Sequence, residues 1–257
     1  MQRTNMSLSI SSLITLFLVT LIGGCVAVGS TKHATSVVEF LYPDTKNPIV
    51  NPSIPELNLP LRVGIAFVPG EGGGTFGAGT RSSQFIFSED KKINLMKEVA
   101  EHFKSYSFVK DIQVIPSSDL TTGGSFANLD RIRTEHGVDV IALLSYDQAQ
   151  FTDEGVASIA YWTLVGAYVV PGEKNDTHTM LDAAIYDIKS RKMLFRVPGT
   201  SHTKSHATLV NISEQLRTDS KTGFDLAAKD MIVNLDEQLA RFREKVKESP
   251  AEFKVNK

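Results

Sequence analysis

Between residues 61 and 146 the hydrophobic period switches back and forth between two and 3.6, and this alternation constrains the fold more than any other feature of the chain. Leu61-Arg62-Val63-Gly64-Ile65-Ala66-Phe67-Val68 is a short β-branched, apolar run stopped by Pro69-Gly70, which reads as a strand. Ser88 then offers an N-cap, Glu89 and Asp90 fall in a first turn, and Ile93, Met96, Val99, Ala100 and Phe103 recur at helical spacing. A helix of about 16 residues is predicted there. Residues 111–115 give a second strand, ended by Pro116, and residues 128–136 a short helix with Leu129 and Ile132 inward and Gly137 as terminator. Within residues 138–146, Val140-Ile141-Ala142-Leu143-Leu144 lacks polar alternation, as expected of a strand covered on both faces. The order strand, helix, strand, helix, strand implies a sheet with parallel pairing and helices layered on it.

After residue 146 the pattern changes. Residues 159–170, 179–188 and 192–197 are successive strand candidates, with turns at Pro171-Gly172 and Lys189-Ser190-Arg191, and residues 203–209 extend the last of them after Pro198-Gly199. They predict an antiparallel meander. Phe224, Ala228, Met231, Leu235, Gln238 or Leu239, Phe242 and Val246 mark one face of a long terminal helix whose other face is charged, with Pro250 just beyond it. The expected fold class is therefore α/β (α+β): a mixed sheet with a β-α-β-α-β start, an antiparallel meander and a long C-terminal helix. Its domain spans residues 61–210, and residues 211–257 supply the amphipathic helix packed on it and a short tail. An apolar content of 42% is ordinary for one such domain.

The N-terminal residues address location. Residues 1–5 hold one charge, Arg3, and residues 8–21 are mostly Leu, Ile, Val, Phe, Ser and Thr, about 14 residues where a bilayer span needs roughly 20. Leu21-Ile22-Gly23-Gly24-Cys25 closes this run and carries the single cysteine of the chain. A charged start, an apolar middle and a small-residue exit are the parts of a secretory signal, and the residues around Cys25 resemble the lipobox of bacterial lipoproteins. That resemblance implies a signal peptide over residues 1–24, cleavage between Gly24 and Cys25, and lipid on the Cys25 thiol. Several acyl chains anchor stably where one binds only marginally. Val26, in place of an aspartate, implies the outer membrane, with the domain facing the periplasm. One thiol forms no internal disulfide, so the exported domain must stand on its core. Pro43, Pro48, Pro52, Pro55 and Pro60 are half of the prolines. Residues 25–60 are accordingly expected to be a stiff, lipid-anchored tether, with at most a short helical piece at residues 36–41.

Removing Arg3 with the signal leaves 26 basic residues, from 27, against 29 acidic ones, a net charge of −3. Without a basic excess or block, nucleic acid is excluded as an expected partner.

Several stretches together resemble a known family. They are Glu39-Phe40-Leu41-Tyr42-Pro43, the run from Pro60 through Arg62-Val63-Gly64-Ile65-Ala66-Phe67-Val68 to Pro69, Tyr161-Trp162-Thr163, Gly166-Ala167-Tyr168, Asp182-Ala183-Ala184-Ile185-Tyr186-Asp187 and Leu194-Phe195-Arg196. The family is that of the rhombotarget lipoproteins, bacterial lipoproteins associated with rhombosortase, an intramembrane protease of the rhomboid type. The resemblance covers most of the chain after Cys25 and implies an envelope lipoprotein. Some relatives carry a sorting tail of a Gly-Gly motif, an apolar stretch and basic residues. Here the sequence ends Phe253-Lys254-Val255-Asn256-Lys257, so this chain is not expected to be a substrate of that protease. More loosely, the element order is similar to the periplasmic lipoprotein domains of the curli secretion channel and of peptidoglycan synthase activators, an analogy of fold only.

Motifs that could carry chemistry read as structural. Gly72-x-Gly74-x-x-Gly77 follows a strand, but a dozen residues separate it from the helix core, no acid ends the second strand, and no Gly-Lys-Ser/Thr follows. The glycine-rich loop of residues 70–79 is expected to be a surface loop. His202 and His206 would lie about 13 Å apart on one strand face, too far for one metal, and His178 falls earlier in a turn. Asp182 and Asp187 flank one strand, Asp139 and Asp147 another, and acids at strand ends are usually solvated turn residues. There is no Gly-x-Ser-x-Gly elbow. No catalytic, cofactor-binding or metal-binding residue is therefore expected, and no cofactor; the processed positions are the signal cleavage site between Gly24 and Cys25 and the lipidated Cys25. The expected function is a non-enzymatic interaction or assembly module with an envelope protein as partner. A subunit of a secretion or channel assembly, with residues 157–170 inserting at its rim, and an envelope hydrolase are the alternatives.

Overall fold

The computed structural model describes residues 30–43, 53–70, 88–151, 157–162, 166–171, 176–205 and 212–256. Cys25, the loop of residues 71–79 and His206 lie outside them. The elements in chain order are β1 (Ser30–Ala34), α1 (Val37–Leu41), β2 (Glu56–Asn58), β3 (Leu61–Phe67), α2 (Glu89–Lys104), β4 (Val109–Val114), α3 (Ser125–His136), β5 (Val140–Phe151), β6 (Ala157–Trp162), β7 (Gly166–Pro171), β8 (Asp176–Asp187), β9 (Lys192–Lys204), α4 (Ile212–Glu248) and β10 (Lys254–Asn256). None of the described helices is long and apolar enough to cross a membrane.

The central sheet runs β4-β3-β5-β8-β9. β3 is parallel to both β4 and β5, and the β5, β8 and β9 pairings are antiparallel. This is the mixed sheet with a parallel start and an antiparallel meander that the periodicity predicts. Both faces are covered, so β5 reads as a continuous apolar run. Val140, Leu144 and Tyr146 join one core with α2 and α4, while Ile141 and Leu143 join a second with α1 and α3. Helix ends follow the local chemistry: Gly137 closes α3 in the left-handed region at φ 65°, and Glu89 and Asp90 occupy the first turn of α2.

Three expectations need correction. The segment expected to be a free tether is, over residues 30–41 and 55–60, part of the domain. β1 pairs antiparallel with residues 147–151 of β5, and Val37, Phe40 and Leu41 are each only 2% exposed in the second core. The prolines bracket these pieces and do not stop Val37, Phe40 and Leu41 from presenting an i, i+3, i+4 apolar face. β2 pairs in parallel with β10, which brings Leu57 and Phe253 into the first core. The long apolar stretch of residues 159–170 is not one strand of the meander. It is split between β6 and β7, which form their own two-stranded antiparallel sheet. Lastly, Pro198-Gly199 does not end a strand, because β9 runs through it as an edge strand. Pro198 lacks a donor only on a side where none is needed.

α4, 37 residues long, is held differently along its length. Its first half is fixed to the sheet by polar contacts: Gln148 Nε2, which also donates to Thr179 Oγ1 within the sheet at 2.7 Å, donates to the Ser220 carbonyl at 3.2 Å, Gln150 Nε2 donates to the Leu216 carbonyl at 2.7 Å, and Ser201 Oγ donates to the Gly223 carbonyl at 2.6 Å. Its second half stands over the first core and leaves a space there.

Candidate functional site

The space is an apolar cavity of about 830 Å³. Its floor is the α2/α4 face of the sheet, where Val63, Ile65, Ala142, Ala183 and Ile185 point up. α2 packs on β4 and touches β3, whereas α4 packs on β9 and β8. The two helices therefore diverge above β5, and the small Ala142 and Ala183 cannot fill the gap between them. Val99 and Phe103 of α2 form one wall, and Leu235, Leu239 and Phe242 of α4 the other. A volume of about 300–1,000 Å³ is usual for small-molecule sites.

The exposed residues of its lining, among them Arg243, Lys247 and Val255, gather at the β5 end that begins with Val140 and mark the mouth there. Phe108, Leu59 and Val255 rim it together with two cations, Arg243 and Lys247. Lys247 Nζ lies 2.7 Å from Glu244. The Arg243 guanidinium lies 5.8 Å from the Phe108 ring centre and makes no ion pair among the described residues. Asp236 of α4 latches the two walls: it accepts from Tyr106 Oη at 2.6 Å and lies 3.0 Å from His102 Nε2. The Tyr106 and His102 contacts hold the Asp236 carboxyl below the usual carboxylate range.

The other sheet face carries a polar cluster at the opposite end. His178 of β8 sits directly across from His202 of β9, with their rings stacked at 4.1 Å and 13°. Asp176, 1% exposed, places Oδ2 3.3 Å from His202 Nε2 and 4.0 Å from His178 Nε2. Burial, and then the neighbouring His202, push the His178 imidazole down to about 4. The sequence gives no hint of this pairing when His202 is matched with His206. The signal is the hairpin register: one irregularity between Ile185 and Tyr186 shifts β9 by a residue, which sets His202 opposite His178.

The paired acids separate into structural roles. Asp187 Oδ2 accepts from the Ser190 backbone N–H at 2.8 Å and shapes the β8–β9 turn, and Asp139 pairs with Arg62 at 2.9 Å on the surface. Asp147 is buried on the α1/α3 side of β5. Asp182, only 1% exposed, is not a solvated turn acid but half of an ion pair, with Arg196 Nε at 2.6 Å. None of these four lines the apolar cavity.

No protein-family model and no curated protein matches the chain. Among solved structures, two crystal forms of the PelC dodecamer from Paraburkholderia phytofirmans are similar at 9% identity, with TM-scores of 0.30 and 0.27. The matches cover 79% of this chain and 96% and 95% of those chains.

Proposed function

We propose that the chain is a lipid-anchored, non-enzymatic module of the bacterial envelope whose domain takes the acyl chain of an anionic amphiphile into the cavity between α2 and α4. The observation that carries this reading is the cavity itself, apolar throughout its depth with Arg243 and Lys247 at its rim. Burying about ten methylenes at about 0.8 kcal/mol each contributes about 8 kcal/mol before the cost of association. A carboxylate or phosphate head at the mouth adds a charge-assisted contact to Arg243. The geometry also suits an anchor at Cys25. The described chain begins with Ser30 paired to Phe151, seven to eleven residues along β5 from the cavity floor at residues 140–144, roughly 23–36 Å at ~3.3 Å per residue. Such an anchor would leave the mouth pointing away from its own membrane.

Displacement of fluorescent cis-parinaric acid by palmitate tests the cavity. The expected result is one site per chain with a micromolar dissociation constant. Ala142→Phe, which fills the floor, should abolish binding while leaving the fold intact, because the added ring enters empty space. Arg243→Glu should weaken palmitate at least about tenfold and spare a fatty alcohol of the same length. Binding that survives Ala142→Phe unchanged would sink the reading.

The anchor has its own test. Cys25→Ser is expected to abolish metabolic palmitate labelling and release the protein from membranes. Unchanged labelling would remove the lipoprotein half of the proposal and leave the cavity untouched.

A further inference from the structure

We propose that Asp176, His178 and His202 form a three-ligand binding site for Zn²⁺, with the fourth coordination position left to water. The site is independent of the apolar cavity: it lies on the other face of the sheet and at its other end.

The argument is geometric. Zn²⁺ takes His nitrogen and carboxylate oxygen at about 2.0–2.2 Å in a tetrahedron, which sets neighbouring ligand atoms about 3.4 Å apart. Asp176 Oδ2 and His202 Nε2 already stand at 3.3 Å, and His178 Nε2 is 4.0 Å from the same oxygen. One ligand atom from each of the three residues falls within 4.8 Å of the other two. Asp176 and His202 thus already have the spacing of a zinc site, and His178 lies within about 1 Å of it. Asp176 and His178 are held by β8, with 1% and 13% of their side chains exposed, so the oxygen and one nitrogen are preorganised by the sheet.

The third ligand supplies the adjustment. Two parallel stacked imidazoles cannot both aim a lone pair at one ion, so the stack must open for a metal to bind. His202, 41% exposed on the edge strand, can swing its ring out of the stack about the side-chain torsions while its Nε2 stays beside Asp176 Oδ2. Rotation of one solvated ring is a small cost compared with the bonds formed. One carboxylate and two imidazoles are also a ligand set that suits Zn²⁺ over Mg²⁺ or Ca²⁺, which need oxygen. Lys204, opposite Asp176 on β9, is the charge that a bound ion must face or displace.

The test uses the full, untagged chain and competition with a chromophoric chelator for Zn²⁺, followed by Co²⁺ substitution. The expected result is one Zn²⁺ per chain, and a Co²⁺ form with the intense visible bands of a tetrahedral N/O site. His202→Gln, on an exposed edge where folding is unaffected, should weaken Zn²⁺ at least about 100-fold, and Asp176→Asn should do the same. His102→Gln on α2 should leave affinity unchanged. Absence of stoichiometric binding at about 50 µM Zn²⁺, or equal affinity in His202→Gln, would overturn the proposal.

Discussion

Gly199→Val is expected to destabilise the domain by at least about 3 kcal/mol and to lower the thermal midpoint by roughly 6–12 °C. Gly199 is buried on β9 where α4 crosses the sheet. A Cβ built there lands 2.5 Å from the Met231 Cβ, 2.6 Å from the Met231 backbone nitrogen and against the Ala227 carbonyl oxygen. Two of these three neighbours are helix backbone, which no rotamer change can move aside. The helix must therefore lift or β9 must bend. Either response disturbs Met231 and Leu235, which belong both to the first core and to the cavity wall. Urea denaturation of the variant checks the expectation, and a loss under 1 kcal/mol would show that α4 docks less closely than the contacts imply. Palmitate affinity should fall in parallel, since one wall of the cavity moves with the helix.

Arg196→Met should cost about 3–5 kcal/mol at neutral pH, the usual consequence of leaving a buried charge without its partner. Asp182 is 1% exposed, and its Oδ2 has no hydrogen-bond partner among the described residues, so Arg196 is the group that neutralises it. Burial holds the Asp182 carboxyl above its ordinary range, with Arg196 pulling it back down. The folded chain thus holds this proton more tightly than the unfolded chain does. The stability tied to the proton is fully present below the ordinary carboxylate pKa and is lost as the pH rises through the raised folded value. Without Arg196 that folded value rises further. The penalty in Arg196→Met should accordingly be largest at high pH and shrink as the pH falls. Denaturation midpoints at a series of pH values measure this, and a penalty independent of pH would mean that lost packing, not the orphaned charge, dominates. Adding Asp182→Leu to the variant should recover most of the loss, because an apolar pair of similar volume carries no charge to desolvate.

Much of the architecture was legible because local period and punctuation agree with tertiary burial. The run from Leu61 to Val68, the Ser88 boundary, the Gly137 stop and the apolar face from Phe224 to Val246 all appear where their residue patterns put them. The errors arose where a local rule met a long-range partner. Five prolines suggested a tether, yet residues 147–151 of β5 extend past β3 and leave an open edge that β1 fills. Pro198-Gly199 looked like a break, and on an edge strand it became the point of closest approach for a helix.

What the sequence by itself determined is the order of the elements from Leu61 to Tyr146, the parallel start, the antiparallel end and the long terminal helix, since hydrophobic period and turn chemistry are properties of neighbours along the chain. What only the tertiary structure decided are the two places where function is proposed. The cavity exists because α2 and α4 rest on different strands and diverge above two alanines from β5 and β8, a spacing that no single segment encodes. The meeting of His178 and His202 depends on a one-residue shift between Ile185 and Tyr186, and in a strand a shift of one residue changes which face a side chain occupies.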